Sequence, residues 1–252
     1  MRVLVLSDIH GNTPALQAVL ADSEACPVDA LVVTGDVLIG PDPLGVLDLL
    51  AAVPYPVHTV RGNADQELVD AFDGVYAPTG DRYGDELTLW AAGQIDRTIR
   101  DQIAGWPTGI TLPVDGIGEV LFVHATPWSL TDIVLVDTSM ARWDAALRGI
   151  DADAVVLGHT HMPFARRVDR RLIVNAGSVG MPYGHEGASW LALGRQVVFG
   201  QTLYDVQEAA RRILGGGCPG ASVFVQDFVL SHPSDREALS VFGSRAEEPS
   251  AD

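Results

Sequence analysis

Aspartate and histidine side chains follow the ends of several short apolar segments in this chain. In the first case, residues 2–6 form an apolar run with two valines, and Asp8 and His10 come soon after it. Further segments end in the same way, so the candidate metal ligands are Asp8, His10, Asp36, Asn63, His124, His159 and His161. A mixed nitrogen and oxygen set without thiolate suits Mn, Fe, Zn or Co. Because this set exceeds the needs of one ion, it could hold two ions that share a carboxylate.

A simpler interpretation exists for the first of these stretches, residues 4–12. Asp8 and Asn12 could merely cap the helix that follows, and this stretch alone leaves both interpretations open. A charged residue beside a core is costly unless something compensates it, and a divalent metal would compensate Asp8 and His10 together. The same kind of residue at several strand ends favours one shared site over independent caps.

Strands and helices alternate along the part of the chain that carries these residues. Strands are predicted at 2–6, 29–34, 56–60, 108–113, 120–123, 154–157, 171–174, 190–193 and 196–199. Helices are predicted at 14–23, after Pro41-Asp42-Pro43, across most of 66–107 and at 139–147. The alternation argues for a layered α/β fold with a largely parallel sheet. Open sheets of this kind bind ligands at the carboxyl edge of their strands, where the candidate ligands lie.

The candidate ligands belong to motifs whose order and spacing can be compared with a known family. The motifs are Asp8-Ile9-His10, Gly35-Asp36, Gly62-Asn63, His124 and Gly158-His159-Thr160-His161. Over residues 1–200, this pattern resembles the calcineurin-like metallophosphoesterases. Residues 35–43 and 175–180 are similar to the small bacterial phosphodiesterase-like branch. The resemblance implies a four-layer α-β-β-α sandwich of the metallo-dependent phosphatase-like type, with two divalent or trivalent transition-metal ions as cofactors.

The resemblance also implies a role for each ligand. For the first metal, the implied ligands are Asp8, His10 and His161. For the second metal, they are Asn63, His124 and His159, and Asp36 would bridge the two ions. A metal-bridging hydroxide would attack phosphorus in line, without a covalent enzyme intermediate. The implied activity is that of a phosphodiesterase acting on a small phosphate ester such as a nucleotide, with catalytic residues Asp36, Asn63 and His124.

The residue after the motif asparagine departs from the family pattern. Many members have a histidine there that helps to stabilise or protonate the leaving group, whereas this chain has Ala64. We therefore expect good activity on esters with low-pKa leaving groups and weak activity on alkyl monoesters.

Three other residues are candidates for substrate binding: Asn12, Arg61 and His185. Asn12 could contact the substrate phosphate or cap a helix. Arg61 could bind phosphate through its forked guanidinium group or form a structural ion pair. His185 could replace the missing acid or lie exposed in a loop.

Two alternative functions remain at this stage. The first is a phosphomonoesterase or protein phosphatase. The alanine at position 64 and the absence of an Arg just beyond Gly35-Asp36 both count against a protein phosphatase. The second is a non-catalytic interaction module on the same fold. That class can lose metal ligands, whereas this chain retains the full set, so the enzyme is favoured.

The composition indicates a globular protein with a strong acidic balance. Hydrophobic residues make up 47% of the 252 residues, which is enough for a sizeable core. Acidic residues outnumber basic ones by 33 to 16, giving a formal net charge of −17. This charge argues against extended nucleic acid as a partner and would attract divalent cations. The two cysteines, Cys26 and Cys218, lack the spacing of a structural zinc site or a disulfide framework.

No stretch approaches the roughly 18 apolar residues of a membrane helix, and the short N-terminal run lacks a signal-peptide pattern. A cytoplasmic protein that does not engage membranes is therefore predicted. We expect a metallophosphoesterase domain at 1–202, a helical C-terminal appendage at 203–242 with helices at 206–214 and 221–230, and a flexible tail at 243–252. The appendage could support a homo-oligomer or cover the site, and the sequence does not choose between these roles.

Overall fold

Two five-stranded mixed sheets form the centre of the fold. The computed structural model describes residues 1–23 and 26–246. The first sheet has the order β10-β9-β1-β2-β3, and the second has the order β4-β5-β6-β8-β7. The strands are β1 Val3–Leu6, β2 Ala30–Val33, β3 Val57–Thr59, β4 Gly109–Val114, β5 Gly118–Val123, β6 Ala154–Leu157, β7 Phe164–Val168, β8 Arg171–Asn175, β9 Ala188–Leu193 and β10 Val197–Thr202.

The sheets pack face to face through alternate residues of their strands. Val3 and Val5 of β1 belong to the same buried cluster as Phe122 of β5 and Val156 of β6, so this cluster fills the space between the sheets. Leu4 and the other alternate residues belong to a separate cluster on the outer face. Both faces of β1 are therefore covered, which explains why its sequence is continuously apolar rather than alternating.

Helices cover the outer faces of both sheets. They are α1 Thr13–Ser23, α2 Pro43–Ala51, α3 Asn63–Phe72, α4 Arg82–Ala92, α5 Arg97–Ala104, α6 Met140–Ala146, α7 Val206–Gly215, α8 Ala221–Phe224 and α9 Asp235–Ala246. Leu16 of α1 and Leu68 of α3 pack in the cluster outside the first sheet. Trp143 of α6 is fully buried in the cluster outside the second sheet. The predicted four-layer α-β-β-α sandwich is confirmed.

The C-terminal helices pack on this framework. Ile213 of α7 and Phe224 of α8 belong to the same buried cluster as Leu4 of β1. A π-helical turn, Val225–Val229, continues α8, so the predicted helix at 221–230 is present as two joined pieces. The division of the chain at residue 202 stays a prediction.

Two elements were not predicted from the sequence. Strand β7 is an edge strand with two arginines at its centre, so it lacks an apolar run. Helix α9 includes residues 243–246, which were predicted to belong to a flexible tail. Its apolar side is narrow, with Ala238 and Phe242 buried. The rest of the predicted tail, residues 247–252, lies outside the described residues.

Within residues 1–23 and 26–246, we find no helix that combines the length and the apolar character required to cross a bilayer.

Candidate metal centre

The candidate ligands lie at one common edge of the two sheets. Asp8 and His10 follow β1, Asp36 follows β2, and Asn63 is the first residue of α3, just after β3. From the second sheet, His124 follows β5, and the two remaining histidines follow β6. The facing sheets therefore bring the ends of five strands to one place.

The ligand atoms form two compact groups of three residues. The first group is Asp8, His10 and His161. The second group is Asp36, His124 and His159. In each group, one donor atom from each residue lies within 4.8 Å of the others. We call these the first and second metal groups.

Asp36 lies between the two metal groups. Its Oδ2 is 3.4 Å from Nε2 of His124 in the second group and 3.8 Å from Nε2 of His10 in the first. Its Oδ1 accepts a hydrogen bond from the amide N–H of Ala64 at 2.8 Å. Asn63 adds an oxygen to the second group, because its Oδ1 lies 3.0 Å from Nε2 of His124.

Backbone carbonyls fix the orientation of the histidine rings. Nδ1 of His124 donates to the carbonyl oxygen of Thr34 at 2.8 Å, and Nδ1 of His161 donates to that of Met181 at 2.9 Å. A carbonyl can only accept, so Nδ1 carries a proton in both rings and Nε2 is left to face the cluster. Bonds of this kind set the tautomer and raise the basicity of a metal-binding imidazole.

The backbone around these ligands is strained. Six non-glycine residues in the described part of the chain have positive φ, and all but Asp169 are candidate ligands. The strained ligands are Asp8, His10, Asp36, His159 and His161, with φ between 47° and 64°. Such conformations cost on the order of 1–3 kcal/mol each and cluster at functional sites. The fold therefore holds these residues in unfavourable conformations to aim their side chains at one point.

Glycines allow the ligand loops to approach one another closely. A Cβ atom on Gly62 would overlap Oδ1 of Asp36. A Cβ atom on Gly158 would overlap the hydroxyl of Ser7 and reach 2.5 Å from Oδ2 of Asp8. The glycines in the motifs are thus required by space next to the two carboxylates.

In the absence of a metal, each carboxylate pairs with one histidine. Burial lowers the pKa of His124, but the charge of Asp36 and the hydrogen bond between them outweigh burial and raise this pKa to about 10. Burial also lowers the pKa of His161, yet the charge of the nearby Asp8 carboxylate raises this pKa above its ordinary value. Each carboxylate therefore favours the protonated form of one histidine.

The other histidine of each group stays neutral. Burial, followed by the charge of His124, lowers the pKa of His159 to about 4. Burial and the charge of His161 lower the pKa of His10 as well. Since metal ligands must be deprotonated, a cation in either group would compete with protons for these imidazoles.

The unsatisfied atoms of the cluster fit a cation. Oδ1 of Asp8 is fully buried and makes no hydrogen bond with any residue in the described ranges, although Nε2 of His161 lies 3.2 Å away. Nε2 of His10 lies 3.3 Å from Nε2 of His161. The two nitrogens can lie this close only with a proton or a metal ion between them. The donor set and its geometry therefore suit a metal in the first group.

Asp65 holds two of the ligand loops together. Its Oδ2 accepts the amide N–H groups of Asp36 at 2.9 Å and Gly62 at 2.8 Å, and its Oδ1 accepts that of Val37 at 2.9 Å. Burial, followed by the charge of Asp36, raises the pKa of Asp65 to about 7. The side chain caps α3 and, through the same bonds, fixes the Asp36 loop.

Further supporting residues escaped the sequence analysis. Oε1 of Glu67 accepts a hydrogen bond from Nδ2 of Asn63 at 3.2 Å, which turns the amide oxygen toward His124. The hydroxyl of Ser7 donates to Oδ2 of Asp8 at 2.5 Å. Glu67 stands four positions after Asn63 on one helix, so helical spacing was an available signal for it.

The three candidate substrate-binding residues lie in structural contacts. Asn12 is fully buried; its Oδ1 accepts the amide N–H of Ala15, and its Nδ2 donates to the carbonyl oxygen of Gly180. This is the capping alternative considered for it. The guanidinium of Arg61 donates to the carbonyl oxygen of Ala104. The ring of His185 lies against Ser189, 3.0 Å from its hydroxyl. The structure does not bring these three side chains into the metal groups.

A cavity of about 540 Å³ opens beside the cluster. Three candidate ligands line it: His10, Asp36 and Asn63. Ala64 and Glu67 lie in the same wall. The volume falls in the range of small-ligand sites. We call this space the side cavity.

Comparisons with known proteins agree with this geometry. A family model described as the calcineurin-like phosphoesterase superfamily domain matches residues 1–194. An uncharacterized protein of Methanocaldococcus jannaschii is 26% identical, covering 86% of this chain and 93% of its own. Phosphodiesterase YfcE of Escherichia coli K12 is 25% identical, covering 79% and 90%. A crystal structure of a hypothetical protein from Pyrococcus horikoshii OT3 matches with a TM-score of 0.76 at 20% identity, covering 92% and 99%, which shows the shared fold.

The close approach at Gly158 gives the first prediction. Gly158→Ala would push the new methyl group against Ser7 and Asp8, so the carboxylate of Asp8 would move. We expect the affinity for Mn²⁺ at the first metal group to fall about 10- to 100-fold, as when other supports of metal ligands are lost. Calorimetric titration of the metal-free protein measures this. Gly215→Ala is the matched control, because no atom lies within 4 Å of the added Cβ. Equal affinities in both variants would contradict the packing argument.

Proposed function

The chain belongs to the calcineurin-like phosphoesterase superfamily, and on this basis we propose that it is a dinuclear metal-dependent phosphodiesterase. Its substrate is a small phosphate ester such as a nucleotide. The metals are drawn from Mn, Fe, Zn and Co, because the donors are imidazole nitrogens and carboxylate or amide oxygens. A relative named as a phosphodiesterase, YfcE, supports the choice of diester over monoester.

One observation carries the proposal. Oδ2 of Asp36 faces both metal groups, at 3.4 Å from Nε2 of His124 and 3.8 Å from Nε2 of His10. A carboxylate in this position suits a ligand shared by two ions. The remaining donors then divide between the ions as two sets: Asp8, His10 and His161 for one, and Asn63, His124 and His159 for the other.

Ions at the two groups would supply an activated water for in-line attack and neutralise charge on the phosphoryl oxygens. Neighbouring residues of the chain orient the ligand side chains. The amide N–H of Ala64 holds Oδ1 of Asp36, which keeps Oδ2 toward the cluster. Glu67 holds the amide of Asn63, and Thr34 holds the ring of His124. The catalytic residues of the proposal, Asp36, Asn63 and His124, are thus fixed by neighbouring contacts before substrate arrives.

Replacement of the shared carboxylate tests the proposal. Asp36→Asn removes the bridging charge while keeping the size of the side chain and its bond from Ala64. We expect hydrolysis of bis(4-nitrophenyl) phosphate with Mn²⁺ to fall by about 10²-fold or more, because two ions would no longer share a charged ligand. Circular dichroism should show an unchanged fold.

The matched control is Asp144→Asn. Asp144 is exposed on α6 and lies outside the metal groups, so the same chemical change there should leave the rate within about twofold. Retention of full activity by Asp36→Asn would contradict the shared-ligand role. Absence of activity in the unmodified protein with each of Mn²⁺, Fe²⁺, Zn²⁺ and Co²⁺ would contradict the proposed enzyme.

Ala64 leads to a prediction about leaving groups. Position 64 lines the side cavity but carries no group that can donate a proton. We expect fast hydrolysis of nitrophenyl esters and slow hydrolysis of alkyl monoesters, because only the latter need help from an acid. General-acid catalysis is typically worth about 10²–10⁴-fold, so Ala64→His should raise the rate for alkyl leaving groups by about tenfold or more.

Rates on nitrophenyl and alkyl esters should be compared in both proteins. Ala64→Asn provides a control that is polar but cannot act as an acid near neutral pH. Equal rates on the two kinds of ester in the unmodified protein would show that leaving-group protonation has another source.

A further inference from the structure

The side cavity has a second wall that is remote from the metal ligands in sequence. Phe228 of the π-helical turn is half-buried in this wall, and its ring packs 5.5 Å from that of Phe224 of α8, which is itself fully buried. Tyr83 and Leu87 of α4 line it as well. The cavity therefore runs from Asp36 and Asn63 to an apolar and aromatic surface. Flat aromatic groups of ligands stack well on such surfaces.

Helix α9 reaches the same cavity from the C-terminal part of the chain. Ala238 and Phe242 pack against Leu135 and Met162. The ring of Tyr183 lies 5.7 Å from the ring of Phe242 and 5.9 Å from that of His161. This contact chain places the C-terminal end of α9 beside the metal centre, and Arg245 from that end lines the cavity.

The charges around the cavity are unevenly distributed. Among the described residues that line it, Arg245 is the only arginine, and the chain contains no lysine. The carboxylates in the lining are Asp36, Glu67 and Asp81. Arg245 makes no ion pair with any residue of 1–23 or 26–246, and its guanidinium lies 6.0 Å from the ring centroid of Phe242. The planar guanidinium of such a side chain can bind a carboxylate or phosphate group in a bidentate manner.

We infer that the side cavity binds the part of the substrate beyond the scissile phosphate, and that Arg245 binds a second anionic group there. The inference rests on the proposed function, because it takes the metal groups as the place of the scissile phosphate. The aromatic wall would accept a flat ring. The preferred substrate class is thus a nucleotide-sized phosphodiester that carries a second phosphate, and Arg245 determines that preference.

Two substrates that differ by one phosphate test this inference. They are thymidine 5′-(4-nitrophenyl phosphate) and its 3′-phosphorylated form, assayed with the full-length Mn²⁺-loaded protein. We expect kcat/KM to be about fivefold higher for the 3′-phosphorylated substrate, which is the upper range of what a solvent-exposed ion pair supplies. In Arg245→Ala, this ratio should fall to about one, mainly through KM.

Arg236→Ala is the matched control. Arg236 is exposed on the same helix and lies outside the cavity lining, so the same loss of charge should leave the ratio unchanged. Thermal unfolding of both variants checks that α9 remains folded. An equal loss of kcat/KM for both substrates in Arg245→Ala, or a ratio within twofold of the unmodified protein, would overturn the inference.

Binding separates this inference from the proposed function. Calorimetry compares thymidine 3′,5′-bisphosphate with thymidine 5′-monophosphate on the Mn²⁺-loaded protein, and neither ligand contains a diester bond. If the bisphosphate binds more tightly and Arg245→Ala abolishes this difference, the role of Arg245 is supported. This conclusion holds even when no diester is hydrolysed, in which case the proposed function fails. Hydrolysis of both diesters without any preference for the second phosphate would overturn this inference and leave the proposed function intact.

Discussion

Two buried carboxylates and four imidazoles face one another at the common edge of two sheets, and their electrostatic requirements govern the local structure. Asp8 and Asp36 are almost fully buried, where an unpaired negative charge is costly. Without metal, their charges raise the pKa values of His161 and His124. The cluster is therefore built around positive charge at two points, and protons or metal ions can supply it.

Bringing the ligand side chains to these two points requires an unusual backbone at the site. Five candidate ligands have positive φ, which adds several kcal/mol of strain to the folded state. The surrounding structure opposes that strain through specific contacts. Asp65 ties together the loops after β2 and β3, while the amide of His159 donates to Oδ2 of Asp8 and so joins the two sheets. The sandwich thus acts as a frame in which ligands such as Asp8, His124 and His161 are held by loops that follow other strands.

The strand pattern by itself predicted a layered α/β fold with the candidate ligands at a sheet edge, whereas the four-layer sandwich and the division of the ligands between two metals were implied by the resemblance to the family. Polar residues directly after buried strands lie at a sheet edge, but Asp36 and His124 belong to different sheets, so the strand pattern alone could not bring them together across 88 positions of the chain. The sequence could not predict contacts that depend on side-chain direction. Arg61 and His185 stand close to the motifs in sequence, yet their side chains bond to Ala104 and Ser189 instead. Helix α9 was missed because its buried residues, Ala238 and Phe242, are too few to form a clear apolar period.

The central claim is that the two groups hold two metal ions that share Asp36. Anomalous diffraction from crystals of the Mn²⁺-loaded protein, collected at the manganese edge, tests it most directly. The account predicts two peaks per chain about 3.5–4 Å apart, with Asp36 in contact with both. One peak should lie next to Asp8 and the other next to His124. A single peak, or peaks remote from Asp36, would contradict the account.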